Sequence, residues 1–177
     1  MLEIVYVIFV AIFGLCIGSF LNVLVFRLHD KKTLLGRSEC SNCHHVLGVF
    51  DLIPLFSFLS LKGKCRYCKE KISWQYFLVE LATSILFVSV FVFNYFLLDF
   101  NLFLFIRDLI VVSSFITIFV YDSKYMEIPD GISIPTAVLI AIFNFIVYKD
   151  IQSILFGATF GAMFFIVQFI ISKGKWI

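Results

Sequence analysis

Residues 4–26 run without a single charged side chain, from just after Glu3 to just before Arg27. A helix crosses the hydrocarbon core of a bilayer, about 30 Å thick, with roughly 20 apolar residues. This run is therefore long enough to span. It is too long for the apolar stretch of a cleaved leader and lacks the basic residues that precede one, so it reads as a helix that stays in the membrane. Four more runs follow, at 74–98, 102–121, 132–148 and 151–171, joined by turns at 99–101 and 149–150 too short for anything but hairpin connections. Composition agrees: 62% of the residues are hydrophobic and only 15% charged, whereas a soluble domain is nearer half apolar and a quarter charged. The expected fold class is all-α, a polytopic transmembrane helical protein of about five spans. The abundant Phe reads as lipid-facing bulk.

Charge orients these spans. Nine of the fourteen Lys and Arg lie between residues 27 and 71, and cytosolic loops collect such residues. With the 27–73 loop in the cytosol, Lys124, Lys173 and Lys175 fall on the same side, leaving Arg107 and Lys149 outside. The expected topology puts the N-terminus outside and the C-terminus inside. No nucleic-acid recognition motif accompanies the basic residues, so the bilayer, not nucleic acid, is the partner they imply.

The same loop carries Cys40-Ser-Asn-Cys43 and Cys65-Arg-Tyr-Cys68, two CxxC pairs separated by 21 residues. That spacing matches a four-cysteine zinc site, in which each tight turn supplies two thiolates of a closed, structural tetrahedron. Arg37, Lys64 and Arg66 nearby favour thiolate over thiol. The alternatives are disulfides, which a reducing cytosol opposes, or four unrelated thiols. His44 and His45 read as loop residues beside a completed ligand set, and Cys16, in mid-span, as a small hydrophobe.

Polar groups in or beside spans are costly and mark candidate sites. Gly18 and Asn22, four apart, share a helix face suited to close packing against another helix. Glu80, two turns into the second span, calls for a protein interior or a water-filled cavity, or else snorkels to the interface. Arg107 and Asp108 are neighbours that point to different faces and need not pair. Asp122 ends an apolar run at the inner edge of the third span, where partial desolvation suits one half of an aspartate pair. Pro129 stops a helix and Asp130 can cap the next.

Taken in order, these motifs resemble the bacterial type IV prepilin leader peptidases, membrane aspartyl proteases of the GxGD type. The resemblance rests on Gly18-Ser19-Phe20-Leu21-Asn22-Val23 ahead of Arg27, the two CxxC pairs, and Asp51-Leu52-Ile53-Pro54-Leu55. Gly63-Lys64-Cys65-Arg66-Tyr67-Cys68, Ile72-Ser73, Val79-Glu80-Leu81 and the segment from Asp122 to Ile128-Pro129-Asp130 complete it. It implies cleavage of prepilin or pseudopilin leaders at the cytosolic face of the bacterial inner membrane, for pili, secretion or DNA uptake. It also implies N-methylation of the new terminus with S-adenosylmethionine in many members. It makes Asp122 the first catalytic aspartate, with Asp130, Glu80 and Asn22 in support. The domains implied are a first transmembrane helix (1–26), a zinc-binding loop (27–73) and a peptidase region (74–177).

The second catalytic aspartate of that family sits in a GxGD motif, which these 177 residues do not contain. Asp51, Asp99, Asp108 and Asp150 match no part of it. The expectation is that the chain is a piece of a longer peptidase and does not cleave unaided. A non-catalytic adaptor that binds prepilins or assembly proteins is the alternative, and a methyltransferase without peptidase activity a third.

Overall fold

The computed structural model describes residues 2–98 and 100–172, the side chains at 164, 165, 168, 169 and 172 excepted. Asp99 of the first expected turn, and Lys173 and Lys175 in the final basic stretch, lie outside the described residues.

The long apolar runs become helices: α1 (Leu2–His29), α3 (Trp74–Phe96), α4 (Leu102–Tyr125), α5 (Asp130–Tyr148) and α6 (Ile151–Ser172). A short α2 (Phe56–Ser60) lies in the loop between α1 and α3. No strand forms among the described residues, only two isolated bridges in that loop. Helices α1, α3, α4 and α5 are each long and apolar enough to cross a membrane. The fifth expected span, α6, offers a shorter apolar stretch, Ile151–Met163, among the described residues. The fold is thus that of a multi-pass membrane protein.

Helix ends follow local chemistry. Ser73 caps α3 through Gln75 N–H, and Asn101 caps α4 through Phe103 and Leu104 N–H. Their side-chain oxygens take donors that the first turn leaves unpaired. Asp150 does the same for α6, accepting from Gln152 N–H (2.9 Å) and the Ser153 hydroxyl (2.7 Å), and these bonds hold its carboxyl below the usual range. Helix α4 runs past the expected edge at 121 and stops at Met126, which adopts a left-handed φ of 58°. Asp130 is the first residue of α5, so the cap falls to Pro129, whose carbonyl accepts Ile132 and Ser133 N–H. Asp130 instead places negative charge in the first turn, where the helix dipole favours it.

Two units divide the chain, Met1–Thr136 and Ala137–Ile177. In the first, α1, α3 and α4 pack on one another. The contact between α1 and α3 is made by glycine. A Cβ on Gly14 would lie 2.7 Å from Ser84 Cα, and one on Gly18 would lie 2.7 Å from Glu80 Cα. No larger residue permits that approach, the usual device for packing helices in lipid. Polar side chains share the buried faces with Val25 and Phe87: Asn22, Thr83, Asn94 and Thr117 are all at most 2% exposed. Phe115, Phe119, Phe156 and Phe160 face outward, as does Cys16.

Arg107 and Asp108 correct an expectation. They do pair, Arg107 Nη2 to Asp108 Oδ1 at 2.7 Å, while Asn94 Nδ2 donates to the other carboxylate oxygen at 3.2 Å. A guanidinium is long enough to wrap to a neighbouring carboxylate, and burial among helices rewards it.

Candidate metal centre and the polar cluster beside it

The two CxxC turns are near-copies offset by 25 positions. Cys40 N–H donates to the His45 carbonyl and Cys65 N–H to the Glu70 carbonyl; His44 and Lys69 N–H return to the carbonyls of Cys40 and Cys65. Bridges Glu39–Val46 and Lys64–Lys71 close the two turns. His44 and Lys69 hold equivalent left-handed conformations, φ 55° and 61°. This tight geometry brings both sulfurs of each pair inward.

All four Sγ atoms lie within 4.8 Å of one another, with Cys40 and Cys68 at 3.9 Å. A zinc–sulfur length of about 2.3 Å gives a tetrahedron edge of about 3.8 Å. A disulfide needs about 2.05 Å, and all five cysteines are free thiols. The four sulfurs can therefore hold a four-coordinate metal ion. The Cys43 and Asn42 backbone N–H groups draw the Cys40 thiol down to about 7. The Cys43 thiol is pushed up to about 11: His45 N–H opposes this, but desolvation and the neighbouring thiols outweigh it. His44 pairs with Glu39 at 3.8 Å and the His45 ring lies tilted against Tyr67 with centroids 3.6 Å apart, so neither joins the sulfurs.

Two contacts tie this loop down. Asp51, its side chain 5% exposed, binds Arg66 of the second turn at 2.6 Å. Burial pushes the Asp51 carboxyl up, but Arg66, Gly48 N–H and Tyr67 outweigh it and hold the group below its ordinary value. Arg27, at the end of α1, spreads its guanidinium over the carbonyls of Thr33, Leu34, Gly36 and Arg37. Gly36 allows this with φ +133°.

Beside the loop, Asn22 and Glu80 are both buried where α1 meets α3. Asn22 Nδ2 donates to Gly18 O (3.3 Å) and, across the interface, to Tyr76 O (3.2 Å). Among the described residues its Oδ1 is buried without a partner. Glu80, 8% exposed, accepts Leu55 N–H at 2.8 Å and bonds the Ser19 hydroxyl. Glu80 thus faces the interior rather than the interface. A cavity of about 650 Å³ connects the two regions, walled by Ser19, Arg27, Cys40, Asp51, Tyr76 and Glu80 among others.

Asp122 and Asp130 stand apart from this cluster, exposed on either side of the α4–α5 break. Among the described residues no side chain pairs with the Asp122 carboxylate. Sequence reading missed the aromatic group around it: His29 stacks on Tyr125 with centroids 3.6 Å apart and meets Tyr121 edge-on at 6.2 Å. It joins the end of α1 to the end of α4. Ring residues three or four apart on α4 were the available sign.

A family model described as the bacterial peptidase A24 N-terminal domain matches residues 12–94, the stretch from α1 through the cysteine loop into α3. Over that stretch the chain is similar to the bacterial prepilin peptidases. It is 35% identical over 161 residues to a prepilin leader peptidase/N-methyltransferase of Vibrio cholerae, covering 80% of this chain and 58% of that protein. A Pseudomonas aeruginosa protein of the same name is 31% identical over 181 residues, covering 88% and 61%. One from Myxococcus xanthus is 45% identical over 85 residues, covering 48% and 25%. The chain thus spans less than two thirds of these prepilin peptidase relatives. No solved structure matches it.

Proposed function

We propose that this chain supplies the metal-binding platform and the first aspartate of a type IV prepilin leader peptidase, cutting prepilin or pseudopilin leaders at the cytosolic membrane face. The observation that carries this reading is the coincidence of the matched residues 12–94 with one packed assembly, α1, the four-thiol loop and α3. The division follows: 1–26 an anchor, 27–73 the metal loop, 74–177 the peptidase region.

Peptide hydrolysis by carboxylates needs two, one ionised to draw a proton from water and one protonated to donate it. Asp122 is assigned as one of them. Its exposure and lack of a partner suit a group that acquires its environment from a second carboxylate, brought by a GxGD segment outside these residues. Asp130 shapes the start of α5, while Glu80 and Asn22 position the loop. The four sulfurs would hold zinc; it supplies no chemistry in a closed tetrahedron but fixes the loop. The loop faces the cytosol of a bacterial inner membrane by its nine basic residues.

The relatives' names also carry N-methyltransferase. The 650 Å³ cavity is of the size that small molecules occupy, and Glu39 and Glu70 on its wall are of the right charge for the ammonium of S-adenosylmethionine.

The test is co-expression with a prepilin substrate, with and without a downstream GxGD segment from a relative. Cleavage should require that segment and vanish on Asp122→Ala. Cleavage by residues 1–177 alone, or by the D122A form, rejects the assignment. Prepilin capture unaffected by D122A, without any cleavage, favours an adaptor.

A further inference from the structure

We infer that the face of the loop beside α3 holds a binding site for the headgroup of an anionic phospholipid. This site is separate from the metal centre and independent of which reaction the chain serves. A second cavity, of about 420 Å³, is lined by Lys62, Lys64 and Lys71 over a floor that includes Phe58, Ile72 and Trp74. Among the described residues no carboxylate lines it, and none of the three lysines has an acidic partner.

The placement of the lysines is unfavourable on its own. Lys64 and Lys71 are the two partners of an antiparallel bridge, and like charges directly opposite each other repel. Both are exposed. Lys62 joins them from a turn in which it holds φ 54° and Gly63 φ 67°. That turn is pressed on the aromatic floor, since a Cβ on Gly63 would lie 3.1 Å from the tip of the Phe58 ring. Three lysines thus line one cavity to which no described residue brings a counter-charge.

The apolar floor says where the counter-charge comes from. Phe58 meets Trp74 edge-on at 5.0 Å and lies tilted against Phe77 at 5.5 Å. Trp74 is the first residue of α3 and 63% exposed, and α3 is long and apolar enough to cross the bilayer. Indole rings settle at the level of lipid headgroups, so the cavity opens at that level. A soluble anion has no use for an aromatic floor. A phosphodiester whose acyl chains descend along α3 uses both parts, and clustered lysines next to a span attract anionic lipid.

The full chain reconstituted into phosphatidylcholine bilayers tests this. Trp176→Phe leaves Trp74 as the sole indole, and a minor fraction of brominated phosphatidylglycerol or brominated phosphatidylcholine serves as quencher. The expected result is about tenfold enrichment of phosphatidylglycerol near Trp74 relative to phosphatidylcholine. Enrichment should be lost in K62Q/K64Q/K71Q and kept in K31Q/K32Q/R37Q, which removes the same charge elsewhere in the loop. Quenching that follows bulk composition overturns the proposal, as does equal loss in both variants. Abolition by inorganic phosphate overturns it in favour of a soluble anion. If the first triple variant does not fold, the comparison of the two quenchers on the otherwise unaltered chain decides the matter alone.

Discussion

Glu80 Oε2 accepts the backbone N–H of Leu55 at 2.8 Å, so a carboxylate inside α3 fixes a loop residue 25 positions earlier. Leu55 needs fixing. It holds φ 58°, a conformation costly for a bulky residue unless its surroundings enforce it. Glu80→Ala should therefore leave a part-buried donor unpaired and release the turn, destabilising the chain by about 1–3 kcal/mol. Glu80→Gln keeps an acceptor and should lose less. Unfolding of both variants in detergent, followed by loss of helicity, measures the difference. Equal losses would show that the hydrogen bond to Leu55 is not what matters.

The glycine contact between α1 and α3 should tolerate nothing larger. Gly18→Val puts atoms where Glu80 Cα already stands and should cost about 1–3 kcal/mol or more, because helix backbones cannot yield as a side chain tip can. Gly157→Val, where a Cβ meets nothing within 4 Å, is the control. The two thermal midpoints give the comparison.

Metal binding should release protons in a predictable way. Above pH 7 Cys40 is already ionised, while Cys43, held up to about 11, must still give up its proton. Affinity should fall more steeply once the pH drops below about 7, when Cys40 must be deprotonated as well. Zinc titration calorimetry in buffers of differing ionisation heat counts those protons. Cys65→Ser should abolish binding, and Cys16→Ser should not alter it.

Asp51 makes a separate prediction in acid. Its carboxyl is held below the ordinary value of 3.8, so the stability it contributes is complete above that value and is lost as the pH falls through the depressed one. Asp51→Asn should loosen the second cysteine turn at neutral pH, and the difference from wild type should shrink in acid. Hydrogen exchange in residues 48–67, compared at each pH, checks it. A difference that persists unchanged in strong acid would dissociate the turn from the Asp51–Arg66 pair.

Much of this was legible beforehand because lipid is a stringent solvent. Runs of apolar residues as long as 4–26 have one use, and CxxC repeated at 21 residues has few. The face shared by Gly18 and Asn22 followed from helical period alone. The Arg107–Asp108 pair did not, because spacing describes where side chains leave a helix and not how far an arginine reaches. Asp51 was visible as part of a motif, but its bond to Arg66 depends on how the loop folds back. The ring cluster beside Asp122 went unread for a related reason: an apolar run says that a helix is buried, not which rings its end meets.

Asn22 and Tyr76 clasp α1 to α3 at the point where the cysteine loop leaves and returns. With the glycine seam below them, the two helices hold each other without help from the chain that links them. A polypeptide nicked inside the loop should then still come together from its two pieces in the membrane, each bringing one CxxC and half of the metal's ligands.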